Sequence, residues 1–211
     1  MTTKTLNISE EQLVDYSKAH NEPSWMTELR KKALKLTETL EMPKPDKTKL
    51  RKWDFDTFKQ HHTTGEAYTQ LTDLPKSVKE IIDVENSENL IIQHNNELAY
   101  TQVSDQAKHD GVIIEGLSEA LVNHSDLVQK YFMTKAVDVD EHRLTALHTA
   151  LVNGGIFVYV PKNTVVEHPI QYVVLHDDEQ ASFYNHVIIV TEESAEVTYV
   201  ENYLSTTSGE D

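Results

Sequence analysis

Cysteine is absent from this chain, which removes disulfide scaffolds, thiol nucleophiles and thiolate ligation of a metal by its own residues. Glycine is scarce, with 6 among 211 residues, and no glycine-rich phosphate loop is present. Long apolar runs are missing too. The longest, such as HVIIVT at residues 186–191, fall far short of the ~20 residues that cross a bilayer. The first residues, MTTKTLNISEEQ, show no basic stretch leading into an apolar one, so no secretory signal is visible. Positive charge is in short supply: 19 Lys plus Arg against 35 Asp plus Glu leave a net charge of −16. Such a field repels phosphate backbones and anionic lipid. These absences point to a soluble cytoplasmic protein whose partners are proteins, cations or small molecules, with no nucleic acid and no membrane.

What is present suffices for a core. Hydrophobic residues make up 38% and charged residues 26%, within the globular range. Ser9 with Gln12 forms a capping-box pattern, and Leu13 and Tyr16 begin an apolar helical face. After HNEPSW, Trp25, Leu29, Ala33, Leu36 and Leu40 recur at helical spacing, with Arg30, Lys31, Lys32 and Lys35 read as the solvated side. Pro43 and Pro45 stop that helix. WDFDTF (53–58) has strand-like alternation. NLIIQH and NELAYTQV, joined across His94-Asn95-Asn96, read as a β-hairpin, and GVIIEGL as another strand. SEALVNHSDLVQKYFM returns to helical spacing.

In DEHRLTALHTALVNGG, Asp140 reads as the N-cap of a helix whose apolar face carries Leu144, Leu147, His148 and Leu151. Asn153-Gly154-Gly155 reads as its C-terminal stop, because glycine accepts the left-handed backbone that a cap needs. Beyond that point IFVYV, PIQYVVL, NHVIIVT and AEVTYVENYL follow one another as β-branched and aromatic runs with no helical pattern between them. That succession means a meander, a sandwich or a β-solenoid. The expected organisation is α+β: a helical and mixed region over 1–153, then an all-β region over 154–211.

Chemistry-bearing constellations are sparse. His61-His62 sits in a polar loop, and neighbours on an extended chain point to opposite faces. His142 and His148 are not at a ligand spacing, and His148 reads as a hydrogen-bonded core or interface histidine. His168, His176 and His186 are the candidate metal ligands, because successive strands can stack them. Each also stands near a strand end, where polar residues collect, so the default is no metal site. No Gly-x-Ser-x-Gly elbow or Ser-x-x-Lys pair occurs, and the acidic runs DVDE, HDDE and TEESAE read as solvated turns. No catalytic residue and no cofactor-binding residue is assigned.

Three segments carry a family resemblance: EPSWMTELRKKAL, then ALHTALVNGGIFVYVPKNTVVEHPIQ, then NHVIIVTEESAEVTYVENY. In that order they resemble the SufB/SufD family, scaffold subunits of bacterial iron–sulfur cluster assembly. The resemblance spans nearly the whole chain and is strongest from Ala146 onward. It leans to the SufD side, because SufB-like chains carry a cysteine after the last strand's Val-Glu, where this chain has Glu201-Asn202-Tyr203. The family often has Asn where His148 stands.

The resemblance implies a right-handed parallel β-helix entered near Gly154. It implies a non-catalytic scaffold that pairs with a SufB-like paralogue and a SufC-like ATPase, with no cofactor held by this stretch while the complex handles the cluster. The family continues well past STTSGED, and its functional interface histidine lies in that continuation, so no residue here inherits that role. The expectation is therefore an N-terminal fragment whose last strand edge, near residues 195–204, invites pairing with a second copy. Two other readings stay open: a β-solenoid enzyme acting on polysaccharide, and a stand-alone metal-binding module built on the strand histidines.

Overall fold

Ser9 begins the first helix as the sequence dictates. Its hydroxyl accepts from the Gln12 N–H while the Gln12 side chain accepts from the Ser9 N–H, opening α1 (Glu10–Ala19). The computed structural model describes residues 6–50, 53–57, 59–83 and 87–205. These divide into two compact units, one from Met1–His61 and Ala120–Val152, the other from His62–Glu119 and Asn153–Asp211.

The first unit is helical. α2 (Ser24–Thr39) packs along α7 (Arg143–Leu151), with α1 beside α2. The face that α2 buries is Met26, Arg30, Ala33 and Thr37. This corrects the expected stripe by one position: Ala33 is shared, but Trp25, Leu29, Leu36 and Leu40 are only half-buried, and Arg30 lies inside. A chain read alone places a cation outside by default, and the partners that reverse this are distant in sequence. The helical spacing of SEALVNHSDLVQKYFM resolves into two helices, α5 (Leu117–Asn123) and α6 (Ser125–Tyr131), interrupted at His124.

α7 is buried almost all round, through Arg143, Thr145, Ala146, Leu147, Thr149, Ala150 and Leu151. Its N-cap is His142 rather than Asp140, because the imidazole accepts from the Thr145 N–H and the Thr145 hydroxyl returns to the His142 N–H. WDFDTF forms no strand over its described residues. Asp54 instead accepts from the Asp56 and Thr57 N–H groups in a tight turn, while Phe58 lies outside the described residues.

The second unit holds two sheets. β1 (Asn89–His94) and β2 (Glu97–Gln102) form the expected antiparallel hairpin, with Asn95 at φ 53 in the turn and a register shift after Ile92. β1 also pairs in parallel with β5 (Ile170–His176), which pairs in parallel with β7 (Tyr199–Ser205), giving the order β2-β1-β5-β7. The other sheet is β3-β4-β6: β3 (Ile113–Gly116) lies antiparallel to β4 (Gly154–Val160), and β4 parallel to β6 (Asn185–Thr191). The chain thus alternates between sheets from β4 to β7, and strands meet their copy in the following pass. Gly154 faces Asn185, Val165 faces Glu196, and Ile170 faces Tyr199.

The short α4 (Asp105–His109), capped by the Ser104 hydroxyl, and α3 (Lys76–Lys79) complete this unit. β5 is apolar on both faces because both are covered. Ile170, Tyr172 and Val174 join Ile91, Ile156, Val158 and Val160 in one core, while Val173 and Leu175 join Leu90, Ile92, Leu74 and Val78 in another.

Gly154 and Gly155 do not cap α7, which ends at Leu151; they are the first residues of β4. Gly155 is needed for a different reason. Its φ is 136, and a Cβ there would collide with the backbone of His186 on the paired strand. Among the described residues, no helix is long and apolar enough to cross a membrane.

Candidate functional site

Each unit is organised around one buried polar cluster. In the helical unit the cluster centres on Arg30, which is 1% exposed. Its guanidinium makes a two-point pair with Glu22, through Nε to Oε2 at 2.8 Å and NH2 to Oε1. NH1 donates to the Ala150 carbonyl at 2.9 Å, one residue before the end of α7. Burial by itself would raise the Glu22 pKa; Arg30's charge and hydrogen bonds, with help from the Ser17 hydroxyl, outweigh it and hold the carboxyl below its ordinary value.

Arg143 makes the reciprocal contact. It donates from Nε to the Thr37 carbonyl at 2.8 Å, near the end of α2. It also faces Asp56 Oδ1 at 2.6 Å, off the hydrogen-bond axis, so that contact is a charge pair only. Each helix therefore supplies an arginine to the C-terminal carbonyls of the other, which runs the two in opposite directions and places positive charge at both negative dipole ends.

Aromatic rings line this clasp. The Tyr16 ring lies 5.0 Å from the Arg30 guanidinium carbon, 4.1 Å from the His20 ring and 4.6 Å from the His61 ring. His61 Nε2 lies 2.8 Å from the Leu151 carbonyl, so this histidine belongs to the end of α7 rather than to a free loop. His148 is pushed down to a pKa of about 4, first by burial and then by Arg30's charge. The sequence reads it as a hydrogen-bonded core or interface histidine; its side chain is half-buried on α7 beside Arg30.

The cluster of the sheet unit is mostly uncharged. Tyr172, fully buried, sets its hydroxyl 2.6 Å from Gln93 Oε1 and 3.0 Å from Asn185 Oδ1. The same Gln93 oxygen accepts from the Gly155 N–H at 2.9 Å, and Gln93 Nε2 donates to the Asn95 carbonyl at 2.8 Å. Asn185 Nδ2 donates to the Tyr203 hydroxyl at 2.9 Å. Burial, followed by Glu201, pushes the Tyr203 phenol up to about 12; burial likewise raises Tyr172 and Tyr199, so all three stay protonated donors.

At the hairpin turn, the Glu66 N–H donates to His94 Nδ1 at 2.8 Å, which leaves the His94 proton on Nε2 to reach Asp177 at 2.9 Å. Asn95 donates to Asp177 and accepts from the Asp177 and Asp178 N–H groups, while Asn96 and Asn153 both donate to the Ser182 carbonyl. Burial opposes ionisation of Asp177, but His94 and Asn95 hold its pKa below the ordinary value.

The candidate metal ligands do not converge. His168 precedes β5 and its carbonyl accepts from Asn89; His176 ends β5, with its ring 5.9 Å from Phe183; His186 lies on β6 in the other sheet, opposite Gly155. His176 Nε2 is buried without a hydrogen-bond partner. Among the described residues, no three His, Asp or Glu side chains gather as a metal site. Acidic turns are partly occupied: Glu192 accepts from Tyr159 at 3.1 Å and Glu193 from Lys162. Neither the Arg30 clasp nor the Gln93–Tyr172 network carries a recognisable sequence motif. The only signal was Glu22 and Arg30 flanking a helix start, at a spacing that belongs to no motif.

Known proteins match this sequence over most of its length. The family described as SufBD protein N-terminal region matches residues 9–172. The chain is 47% identical over 207 residues to the iron-sulfur cluster assembly protein SufD of Bacillus subtilis strain 168, covering 98% of this chain and 47% of that protein. It is 30% identical over 205 residues to an iron-sulfur cluster assembly SufBD family protein of Pyrococcus horikoshii, covering 92% of this chain and 45% of that one. A family member from Mycobacterium tuberculosis is 29% identical over 207 residues, covering 93% and 24%. The chain spans about half the length of the Bacillus relative, or less of the longer ones. A match over most of the described fold, from α1 into β5, shows that the chain belongs to the SufB/SufD family, on its SufD-like side.

Proposed function

We propose that this chain is part of a SufD-like scaffold subunit of an iron–sulfur cluster assembly complex in the cytoplasm, and that it performs no catalysis itself. The observation that carries this reading is the 47% identity to Bacillus SufD across 98% of the chain. The absent cysteine supports it, since a chain without a thiol after Glu201 lacks the nucleophile that a sulfur-receiving subunit needs. Polar clusters that tie helices and strands together, with their donors and acceptors largely engaged, fit a supporting role.

The β strands extend the proposal. We read β4 to β7 as successive coils of a right-handed parallel β-helix. Support comes from the parallel pairs β4–β6 and β5–β7, and from the parallel bridge Val165–Glu196 at the corner between them. In this reading the iron–sulfur cluster is cargo of the assembled complex, formed with a SufB-like paralogue and a SufC-like ATPase.

Co-expression of the full-length protein with those two partners tests it. The three should purify as one complex in fixed stoichiometry, and a full-length protein that remains strictly monomeric beside them sinks the proposal. The 211-residue chain should carry no stoichiometric iron or zinc. Tight metal binding lost in His168→Ala or His186→Ala would restore the metal-module reading.

A further inference from the structure

The most basic stretch of this acidic sequence leads into Trp53, the most exposed large hydrophobic side chain among the described residues. Between residues 43 and 53 the sequence PKPDKTKLRKW holds five Lys or Arg against one Asp, in a chain of net charge −16. Trp53 is 64% exposed, the highest value among the large hydrophobic side chains of the described residues. Its indole stacks on Phe55, with centroids 6.0 Å apart and planes 13° from parallel. Leaving an indole in water forgoes the burial free energy that such a side chain ordinarily gains.

This aromatic pair is held on a fixed base. The Trp53 N–H donates to the Leu50 carbonyl at 2.9 Å, and the Asp54 carboxylate accepts from the Asp56 and Thr57 N–H groups and the Thr57 hydroxyl. Asp56 pairs with buried Arg143, which ties the turn to the α2–α7 clasp. The rings are thus displayed from an anchored turn, and little ordering entropy remains to be lost on binding. Lys47 and Lys49, six and four residues before Trp53, are exposed and form no ion pair among the described residues.

We infer that the Trp53–Phe55 ring pair, with Lys47 and Lys49, is a docking surface for an acidic protein segment that carries an apolar side chain among its carboxylates. Tryptophan is enriched at binding hot spots, where one well-packed anchor dominates and flanking charges steer the encounter. The positive stretch sets the sign of the partner. The chain's overall negative charge works against a nucleic acid at longer range, whereas a protein segment with local negative charge meets the basic stretch without presenting a phosphate array. The inference stands apart from the assembly proposal, because it rests on exposure and charge alone.

The test uses the 211-residue chain and a synthetic peptide of glutamates interspersed with leucines, followed by tryptophan emission and calorimetry. The peptide should shift the emission to the blue and protect it from a solute quencher, with affinity that falls as salt rises. The chain has two tryptophans, so Trp53→Phe assigns the signal. Trp53→Ala should abolish binding, and Lys47→Glu with Lys49→Glu should weaken it about tenfold or more. That charge-reversal pair replaces exposed side chains, so it keeps the test open should Trp53→Ala fold poorly. Three results overturn the inference: no binding of the peptide, tighter binding of an oligodeoxythymidylate than of the peptide, or self-association that Trp53→Ala abolishes.

Discussion

In the helical unit the buried polar groups are two arginines among hydroxyls, with the arginines carrying the ties between elements, while in the sheet unit they are mostly amides and phenols. Arg30 and Arg143 each pair with a carboxylate and donate to a helix-end carbonyl, so two side chains carry much of the polar cohesion of α2 and α7. Gln93, Asn95, Asn96, Asn153, Tyr172 and Asn185 spread the same task over several neutral bonds between strands, turns and loops. A buried ion pair is costly to break because the remaining charge has nowhere to go. A neutral network loses one bond at a time. The difference predicts unequal responses to single substitutions.

The largest effect should come from Arg30→Ala, which leaves Glu22 buried and unpaired and removes the Ala150 contact. We expect about 3–5 kcal/mol of lost stability by denaturant unfolding, most of it recovered in the double variant Arg30→Met/Glu22→Leu. A loss below about 1 kcal/mol would mean that water reaches Glu22 and would dissolve the contrast between the units.

Acidification should come next. The folded-state pKa of His148 is depressed to about 4 from an ordinary 6.5, so the unfolded chain takes up its proton first as pH falls. The stability tied to a neutral His148 is fully present above pH 6.5 and is lost progressively as pH falls through about 4, on the order of 3 kcal/mol in all. His148→Leu should flatten the unfolding free energy across that window, and an unchanged pH profile would remove His148 from the clasp. The Glu22 carboxyl acts in the same direction but only below its ordinary value, so the two effects separate along the pH axis.

In the sheet unit, Tyr172→Phe removes a single hydroxyl from a shared network. A loss of about 1–2 kcal/mol is expected. A loss as large as that of Arg30→Ala would show the network to be as concentrated as the clasp. Smallest among these, Ser9→Ala should cost about 1 kcal/mol by deleting the α1 cap, without affecting the peptide binding ascribed to Trp53.

Much of the local structure was legible because its cause is local. The Ser9–Gln12 box, the Asn95-Asn96 turn and the β-branched runs from Ile156 to Leu204 each carry their physical reason within a few residues. Misreadings fell where a distant group intervenes. His142 took the cap expected of Asp140, since its imidazole reaches Thr145 as well as a carboxylate would. Gly155 was read as a helix stop because its left-handed preference is visible, whereas the strand carrying His186 that demands it is not.

The sequence by itself determined where most helices and strands form, the lack of any cysteine, and the family, since propensity, composition and ordered motifs all reside in the chain. Only the tertiary structure decided which side of α2 faces inward. Arg30 becomes a core residue solely because folding brings Glu22 and the Ala150 carbonyl to it, and burial of a guanidinium is tolerable only where both wait.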